Sequence, residues 1–275
     1  MPERLTRRFV DLPQATVHYA SAGEGAPVLL LHQTPRSWDE YRDVLPLLGR
    51  RRRAIAMDTV GFGDSTALPP GTDSIEAWAE VVVSLLDALE IDRADVVGHH
   101  TGASVAIELA GSVPDRVRSV VLSSAPYADP EARAREASGK AVVDDVEPQA
   151  DGSHLLELWR VRAGFYPDGA IDLLERFVAD ALKAGPLAAE GHRVVARYDA
   201  QSALPRVACP VLLIGATADP YAYPTLARLR ELLPEARVES IEGGMVPLPD
   251  QLPAEFAAAV ERFLDTVDDE LPHDA

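Results

Sequence analysis

The chain has 275 residues, 47% of them hydrophobic, which is enough for one large α/β domain with an inserted subdomain. Its formal net charge of −18 would repel phosphate backbones and anionic membrane surfaces, so we expect neither nucleic acid nor a membrane as a partner. The single cysteine, Cys209, excludes an intrachain disulfide and a thiolate metal cage. Because the first residues lead into a strand and not into a long apolar segment, we expect a cytoplasmic protein.

Strands and helices alternate through residues 1–125. Short apolar runs of this kind are typical of strands buried on both faces, and helices with one apolar face cover them. The predicted strands are 8–12, 15–20, 26–31, 53–57, 94–97 and 117–122. The predicted helices are 38–48, 75–89 and 101–110. The alternation favours a doubly wound, mostly parallel sheet.

Residues 126–205 follow a different pattern, with successive helices and no convincing strand between them. A helical insertion between two strands of a sheet predicts a cap over the functional site. The predicted cap helices are 130–141, 154–165, 171–183 and 187–198. The core therefore consists of residues 1–125 and 206–275, with the cap inserted between them.

The sheet pattern returns after residue 206, with predicted strands at 211–215 and 238–241. Helices are predicted at 224–233 and 254–267. Acidic residues are concentrated in segment 265–275, and we expect this tail to be solvated and frayed.

Segment 95–104 places an apolar strand, a glycine-flanked turn and an amphipathic helix in direct succession. This is the setting of the G-x-S-x-G nucleophile elbow, in which a tight turn exposes one side chain at the sheet edge. The central position of the turn is occupied by His100. An imidazole cannot be the alkoxide nucleophile of a Ser-His-Asp triad, so the chemistry should differ from that of a serine enzyme.

Five motifs follow one another along nearly the whole chain. They are H-Q-T-P at 32–35, D-x-x-G-x-G-x-S at 58–65, G-H-x-x-G at 98–102, G-x-x-x-D at 215–219 and G-G-x-V-P at 243–247. In this order the sequence resembles the α/β-hydrolase superfamily. The resemblance implies an α/β-hydrolase fold, with a mostly parallel, eight-stranded twisted sheet flanked by helices and a helical cap.

The resemblance also implies positions for a catalytic triad. The acid position matches Asp219, and the position of the triad histidine is occupied by Met245. A thioether cannot usefully accept a hydroxyl proton or return one to a leaving group. Two of the three triad members therefore differ, which argues against acyl-enzyme chemistry.

The turn after the third strand supplies a backbone N–H to the oxyanion hole in this superfamily. By position, Thr34 would be that donor here, together with the N–H of Thr101. Gln33, Arg36 and Trp38 place polar and large side chains at the same mouth and are predicted to bind substrate. The alternative is that the turn only directs the chain onto the next helix.

His100 could reach Asp219 and form a dyad in which the carboxylate orients the imidazole ring. The alternative is a space-filling histidine bonded to a loop carbonyl. The neighbouring His99 is expected to point back into the sheet and to be structural. Because no third ligand has suitable spacing, we expect no metal, and nothing in the sequence requires a cofactor.

The cap offers further candidates for substrate binding. Trp159, Arg162 and Tyr166 lie on or near one helix face by their spacing, although the same spacing would also suit packing onto the core. Met245 is expected to line the pocket as well.

Three functions remain open. The leading prediction is an enzyme that moves a proton next to a carbonyl group, as an epimerase or isomerase of a peptide or other natural-product intermediate. In this respect the sequence is similar to the α/β-hydrolase-fold group represented by the bottromycin-pathway peptide epimerase. The second is a hydrolase of an ester, lactone or epoxide with His100 as general base. The third is a pseudo-enzyme that binds a small molecule or short peptide without converting it.

Overall fold

The computed structural model describes residues 4–136 and 143–270. Within them, eight strands form one sheet in the order β1-β2-β4-β3-β5-β6-β7-β8. The strands are β1 (Thr6–Asp11), β2 (Thr16–Ala22), β3 (Pro27–Leu31), β4 (Arg53–Met57), β5 (Ala94–His99), β6 (Val117–Ser123), β7 (Val211–Ala216) and β8 (Arg237–Ile241). The pairs β1–β2 and β2–β4 are antiparallel, and the others are parallel. The predicted eight-stranded, mostly parallel sheet is confirmed.

Alternating residues of the central strands explain why both faces of the sheet are covered. On β3, Leu29 and Leu31 belong to one buried cluster, whereas Val28 and Leu30 belong to a second cluster on the opposite face. Helices bury both faces because β3 is apolar at every position and therefore exposes apolar side chains on both sides of the sheet. The core helices are α1 (Leu45–Leu48), α2 (Ile75–Ala88), α3 (Thr101–Ser112), α9 (Leu226–Leu232), α10 (Leu248–Gln251) and α11 (Pro253–Glu270).

Among the described residues between β6 and β7, where the sequence predicts the cap, there are five α-helices. They are α4 (Pro130–Glu136), α5 (Ser153–Ala163), α6 (Ile171–Ala184), α7 (Leu187–Arg197) and α8 (Ala200–Ala203). The last part of the first predicted cap helix, 137–141, lies outside the described residues. Three of the predicted helices correspond closely to α5, α6 and α7.

Two predictions of local structure are wrong. The helix predicted at 38–48 is a 3-10 turn at Trp38–Tyr41 followed by the short α1. The acidic segment was expected to be frayed from residue 265, but α11 continues to Glu270. The buried guanidinium of Arg52 binds Asp265 at 3.1 Å and Asp268 at 2.9 Å, which ties this turn of the helix to the core. Residues 271–275 lie outside the described residues.

Among the described helices, none combines the length and the apolar character that a membrane span requires.

Candidate active site

A strained turn between β5 and α3 carries His100. Its backbone has φ 47° and ψ −112°, in the left-handed region that residues with a side chain rarely adopt. The glycines on either side make the turn possible. A Cβ on Gly98 would lie 2.2 Å from the carbonyl oxygen of Gly102, and a Cβ on Gly102 would lie 1.9 Å from that of Leu31. The elbow geometry predicted from the sequence is present.

His100 and Asp219 form a hydrogen-bonded pair, with 2.8 Å between Nε2 and Oδ2. The second carboxylate oxygen, Oδ1, accepts the backbone N–H groups of Tyr221 at 2.9 Å and Ala222 at 3.0 Å. Burial would raise the pKa of Asp219, but the hydrogen bond and charge of His100 and the two N–H groups hold the pKa below its ordinary value. Asp219 is therefore ionised and accepts the Nε2–H proton. No described residue hydrogen-bonds to the other ring nitrogen, Nδ1.

His99 is fully buried and has a structural role. Its Nε2–H donates to the carbonyl of Val246 at 2.8 Å, so Nδ1 accepts the hydroxyl of Ser123 at 3.0 Å. Burial, and next the charge of His100, lower the pKa of His99 to about 3, so the ring stays neutral. Ser123 is also fully buried and is not among the residues that line the cavity around His100. This serine–histidine pair is therefore not a nucleophile and base.

The turn after β3 lies directly against the start of α3. The N–H of Thr34 donates to Oγ1 of Thr101 at 3.3 Å, and the two hydroxyls are 2.9 Å apart. A donor–acceptor distance of 3.3 Å is long for a hydrogen bond, so an anionic oxygen could compete for this N–H. Thr101 is the first residue of α3, where backbone N–H groups have no partner within the helix.

A cavity of about 300 Å³ lies between the sheet edge and the cap. His100, Thr34, Thr101 and Gln33 line its core side, and Arg162 lines it from the cap. The Nε2–H of Gln33 donates to Oε1 of Glu40 at 2.5 Å, which fixes this side chain. The remaining lining residues are Ser104, Pro126, Tyr127, Ala128, Val143, His192, Val195, Ala196, Tyr198, Ala200, Tyr221, Thr225 and Val246.

The cap contributes a second buried cluster to this cavity, formed by Arg162, Asp144 and His192. Nε of Arg162 donates to Oδ1 of Asp144 at 2.7 Å, and Nε2 of His192 lies 2.7 Å from Oδ2 of the same carboxylate. Burial would raise the pKa of Asp144, but Arg162 and His192 hold the pKa below its ordinary value. Of these three residues only Arg162 was predictable from the sequence, because nothing near position 144 or 192 resembles a known motif.

Arg36 and Trp38 do not line the cavity, which corrects the prediction that they bind substrate there. The side chain of Arg36 is fully buried and forms ion pairs with Asp180 and Asp250. Trp38 is also buried, and the guanidinium of Arg7 lies 5.0 Å above its ring. Both residues hold the turn after β3 in place and have no access to a ligand in the cavity.

Three other predicted binding residues are also absent from the cavity wall. Tyr166 is buried and packs edge-on against Phe177, with ring centroids 5.9 Å apart. Trp159 packs against the buried apolar cluster that also contains Tyr166 and Phe177. Met245 is half-buried and its N–H donates to Gln251 at 2.7 Å, while the next residue, Val246, lines the cavity instead. Trp159 therefore packs onto the core, whereas Tyr166 lies beyond Ala163, where α5 ends, so the two residues do not share a helix face.

One group of described residues could supply three metal ligands: His18, Asp58 and Asp64, whose ligand atoms lie within 4.8 Å of one another. These atoms already have protein partners. His18 Nδ1 bonds to Asp58 at 2.8 Å, and Asp64 forms ion pairs with Arg7 and Lys183. The group is therefore explained by the hydrogen bonds and ion pairs of a structural turn.

Comparison with known families identifies the fold. Residues 26–245 match the family described as alpha/beta hydrolase fold. The chain belongs to this family. Its sheet order and strained elbow agree with that assignment.

Curated relatives of the chain are hydrolases. The chain is 42% identical to the 2-hydroxy-6-oxo-2,4-heptadienoate hydrolase of Pseudomonas putida over 107 residues, which are 38% of each chain. It is 40% identical to the soluble epoxide hydrolase of a Corynebacterium species over 122 residues, 44% of this chain and 42% of the relative. Each match therefore spans less than half the length of the relative.

A solved structure resembles nearly the whole chain. The enol-lactonase of Burkholderia xenovorans superposes with a TM-score of 0.77 at 21% identity, covering 94% of this chain and all of the lactonase. At this level of identity the likeness shows a shared fold.

Proposed function

We propose that this protein is a hydrolase of a small ester or lactone in which His100 activates water directly, with no acyl-enzyme intermediate. The observation that carries the proposal is the His100–Asp219 pair, which leaves Nδ1 of the imidazole without a protein partner in the cavity wall. A neutral imidazole held by an ionised carboxylate is suited to general-base catalysis. The hydrolase names of the relatives also favour this alternative over proton transfer at carbon.

The first chemical step would transfer a proton from water to Nδ1 of His100 while the water oxygen adds to the carbonyl carbon. Asp219 stabilises the imidazolium that forms, because its own pKa is low enough to keep it charged. The negative charge appears on the former carbonyl oxygen. The N–H groups of Thr34 and Thr101 would stabilise it from the turn after β3 and the start of α3.

In the second step the bond between the carbonyl carbon and the leaving oxygen breaks, and that oxygen takes up a proton. The products are a carboxylic acid and an alcohol. Every proton moves through an imidazole or water, so the reaction needs neither a serine nucleophile nor a histidine at position 245.

The size of the cavity supports a small substrate. Its volume of about 300 Å³ is at the low end of ligand pockets. For comparison, an engineered protein cavity of about 150 Å³ holds benzene. Aromatic and aliphatic side chains, including Tyr127, Tyr198 and Val195, form much of the wall. These features favour a compact, partly apolar ester or lactone over a peptide.

The proposal is tested with a panel of small esters and lactones in water enriched in oxygen-18. We expect one labelled oxygen in the carboxylate product, no burst of alcohol release, and no covalent adduct in the intact mass of the protein. His100→Gln should lower the activity by about 100-fold or more. A covalent acyl adduct, or full activity of His100→Gln, would contradict the proposal.

A second candidate is removal and return of a proton next to a carbonyl, as in an epimerase. The second imidazole in the cavity, His192, favours it, since epimerisation takes a proton from one face of a carbon and returns it to the other. Recording NMR spectra of the same compounds in deuterated water separates the candidates. Deuterium at the α-carbon without hydrolysis would support the epimerase, and tight binding with neither reaction would support a binding protein.

A further inference from the structure

The cap presents its own histidine–carboxylate pair to the cavity that His100 faces. His192 and His100 both line this cavity, one from α7 and the other from the elbow of the sheet. Burial is the main cause that lowers the pKa of His192, and the charge of His100 across the cavity adds to it. A bound molecule of the size of the cavity would therefore lie between two imidazoles.

The position of His192 is fixed by the close approach of α7 to the turn after β3. The preceding residue, Gly191, has no side chain, and a Cβ there would lie 2.7 Å from Cγ2 of Thr34. The helix is thus seated directly on the proposed oxyanion turn. This places the neighbouring His192 on the cap side of any carbonyl group that Thr34 contacts.

The orientation of the His192 ring follows from its partner. Nε2 lies 2.7 Å from Oδ2 of Asp144 and 3.0 Å from Nη2 of Arg162. Arg162 keeps the carboxylate ionised, so this carboxylate can only accept, and because it is the closer partner we assign the proton to Nε2. No described residue hydrogen-bonds to Nδ1 of His192. The side chain is 29% exposed, so the ring is reachable from the cavity, while the Asp144 side chain is fully buried behind it.

We infer that His192 is a second catalytic residue, which donates a proton to the leaving oxygen while His100 takes one from water. The inference rests on the proposed function. Each ring carries a proton on Nε2, and in the reacting state one additional proton lies on Nδ1 of His192 while His100 is neutral. The bond between the carbonyl carbon and the leaving oxygen breaks, and its electron pair goes to the leaving oxygen. That oxygen takes the proton from Nδ1 of His192. His100 ends protonated and His192 neutral, and exchange with solvent restores both.

Asp144 and Arg162 are positioning residues in this scheme. The carboxylate orients the ring and stabilises its protonated form, and the bidentate contact with Arg162 holds the carboxylate in place. Burial lowers the pKa of His192, which makes its protonated ring a stronger acid toward an alkoxide.

A series of esters with different leaving groups tests this role. A nitrophenolate leaves without a proton, whereas an alkoxide requires one. For His192→Gln we expect kcat/KM to fall by about 100-fold or more with alkyl esters and by less than about fivefold with p-nitrophenyl esters. His154→Gln is the matched control, because His154 lies on α5 and is not among the residues that line this cavity.

The outcomes separate the inference from the proposed function. If the wild type hydrolyses esters and His192→Gln loses the same factor with every leaving group, His192 is structural and the inference is overturned, although the function stands. If the wild type hydrolyses no ester, the proposed function fails and this role of His192 fails with it. If His192→Gln does not fold, His192→Asn repeats the comparison. In a separate test, imidazole added to the solution should restore alkyl ester hydrolysis by His192→Gly.

Discussion

His100 binds Asp219 through Nε2, the ring nitrogen farther from the backbone, with 2.8 Å between the two atoms. In the Ser-His-Asp arrangement the carboxylate instead holds Nδ1, and Nε2 faces the nucleophile. The reversal follows from where the ring is attached. An imidazole on the elbow must extend across the site to reach Asp219, so its far nitrogen meets the acid. The near nitrogen, Nδ1, has no hydrogen-bond partner among the described residues, and the ring lines the same cavity as Thr34 and Thr101.

Replacing either member of this pair should reduce catalysis without unfolding the protein. We expect His100→Gln to lower kcat by about 100- to 10,000-fold, because it removes the general base. Asp219→Asn should lower kcat by a smaller factor, since the ring remains but its tautomer and charge are no longer fixed. Steady-state kinetics on the best ester of the panel measures both. If both substitutions raised KM and left kcat unchanged, the pair would contribute only to substrate binding.

The elbow should depend on its glycines for stability. Gly102→Ala places a Cβ against the carbonyl oxygen of Leu31, a backbone atom that cannot move aside. We expect a loss of about 3 kcal/mol or more in the free energy of unfolding, measured by urea denaturation. Gly164→Ala is the matched control, because its φ of −70° suits any residue and no atom lies within 4 Å of the added Cβ. Similar losses in both variants would show that the close contact between Gly102 and Leu31 does not determine the stability of the protein.

Much of the architecture could be predicted because local patterns determine it. The apolar runs of β3 and β5 can be buried only inside a parallel sheet, and the glycines around His100 permit only a tight turn. The dyad of His100 and Asp219 was also predictable, since the carboxyl ends of β5 and β7 meet at one edge of the sheet.

Other features depend on contacts that sequence spacing does not encode. Arg36 looks like a polar group at the mouth of the site, but it is surrounded by acids that are distant in sequence, such as Asp180 and Asp250. His192 has no motif around it, and its role depends on how the cap helices pack against the core. The absent side chain at Gly191 was the available signal, since a glycine inside a helix often marks a close contact.

The pH dependence of stability should reflect an excess of acids around Arg36. Four carboxylates meet three guanidinium groups there: Asp39, Glu40, Asp180 and Asp250 with Arg36, Arg42 and Arg176. Burial is the largest cause that raises the pKa of Glu40, from 4.5 to about 8. Between these two values the folded state binds more protons than the unfolded state. The contribution of Glu40 to stability is therefore complete below pH 4.5 and is lost as the pH rises toward 8.

Glu40→Gln tests this assignment. The variant keeps an oxygen that can accept from Gln33 but no longer titrates. We expect the wild type to lose more free energy of unfolding than the variant between pH 5 and pH 8, measured by urea denaturation across about three pH units. Parallel curves for the two proteins would show that Glu40 is ionised throughout this range.

The contact between Gly191 and Thr34 should couple the stability of the cap to catalysis. A Cβ at position 191 would lie 2.7 Å from Cγ2 of Thr34, so α7 must move away from the turn. The helix itself gains about 1 kcal/mol from alanine, whereas overpacking costs about 1–3 kcal/mol, so the net change in stability should be small. Displacement of α7 would shift His192, and kcat on alkyl esters should fall by about tenfold or more. Thr34→Ser removes Cγ2, the nearest obstructing atom, while Cβ of residue 34 stays 2.9 Å from the added Cβ, so the double variant should recover part of the lost activity. If Gly191→Ala retains full activity on alkyl esters, the position of α7 does not control the reaction.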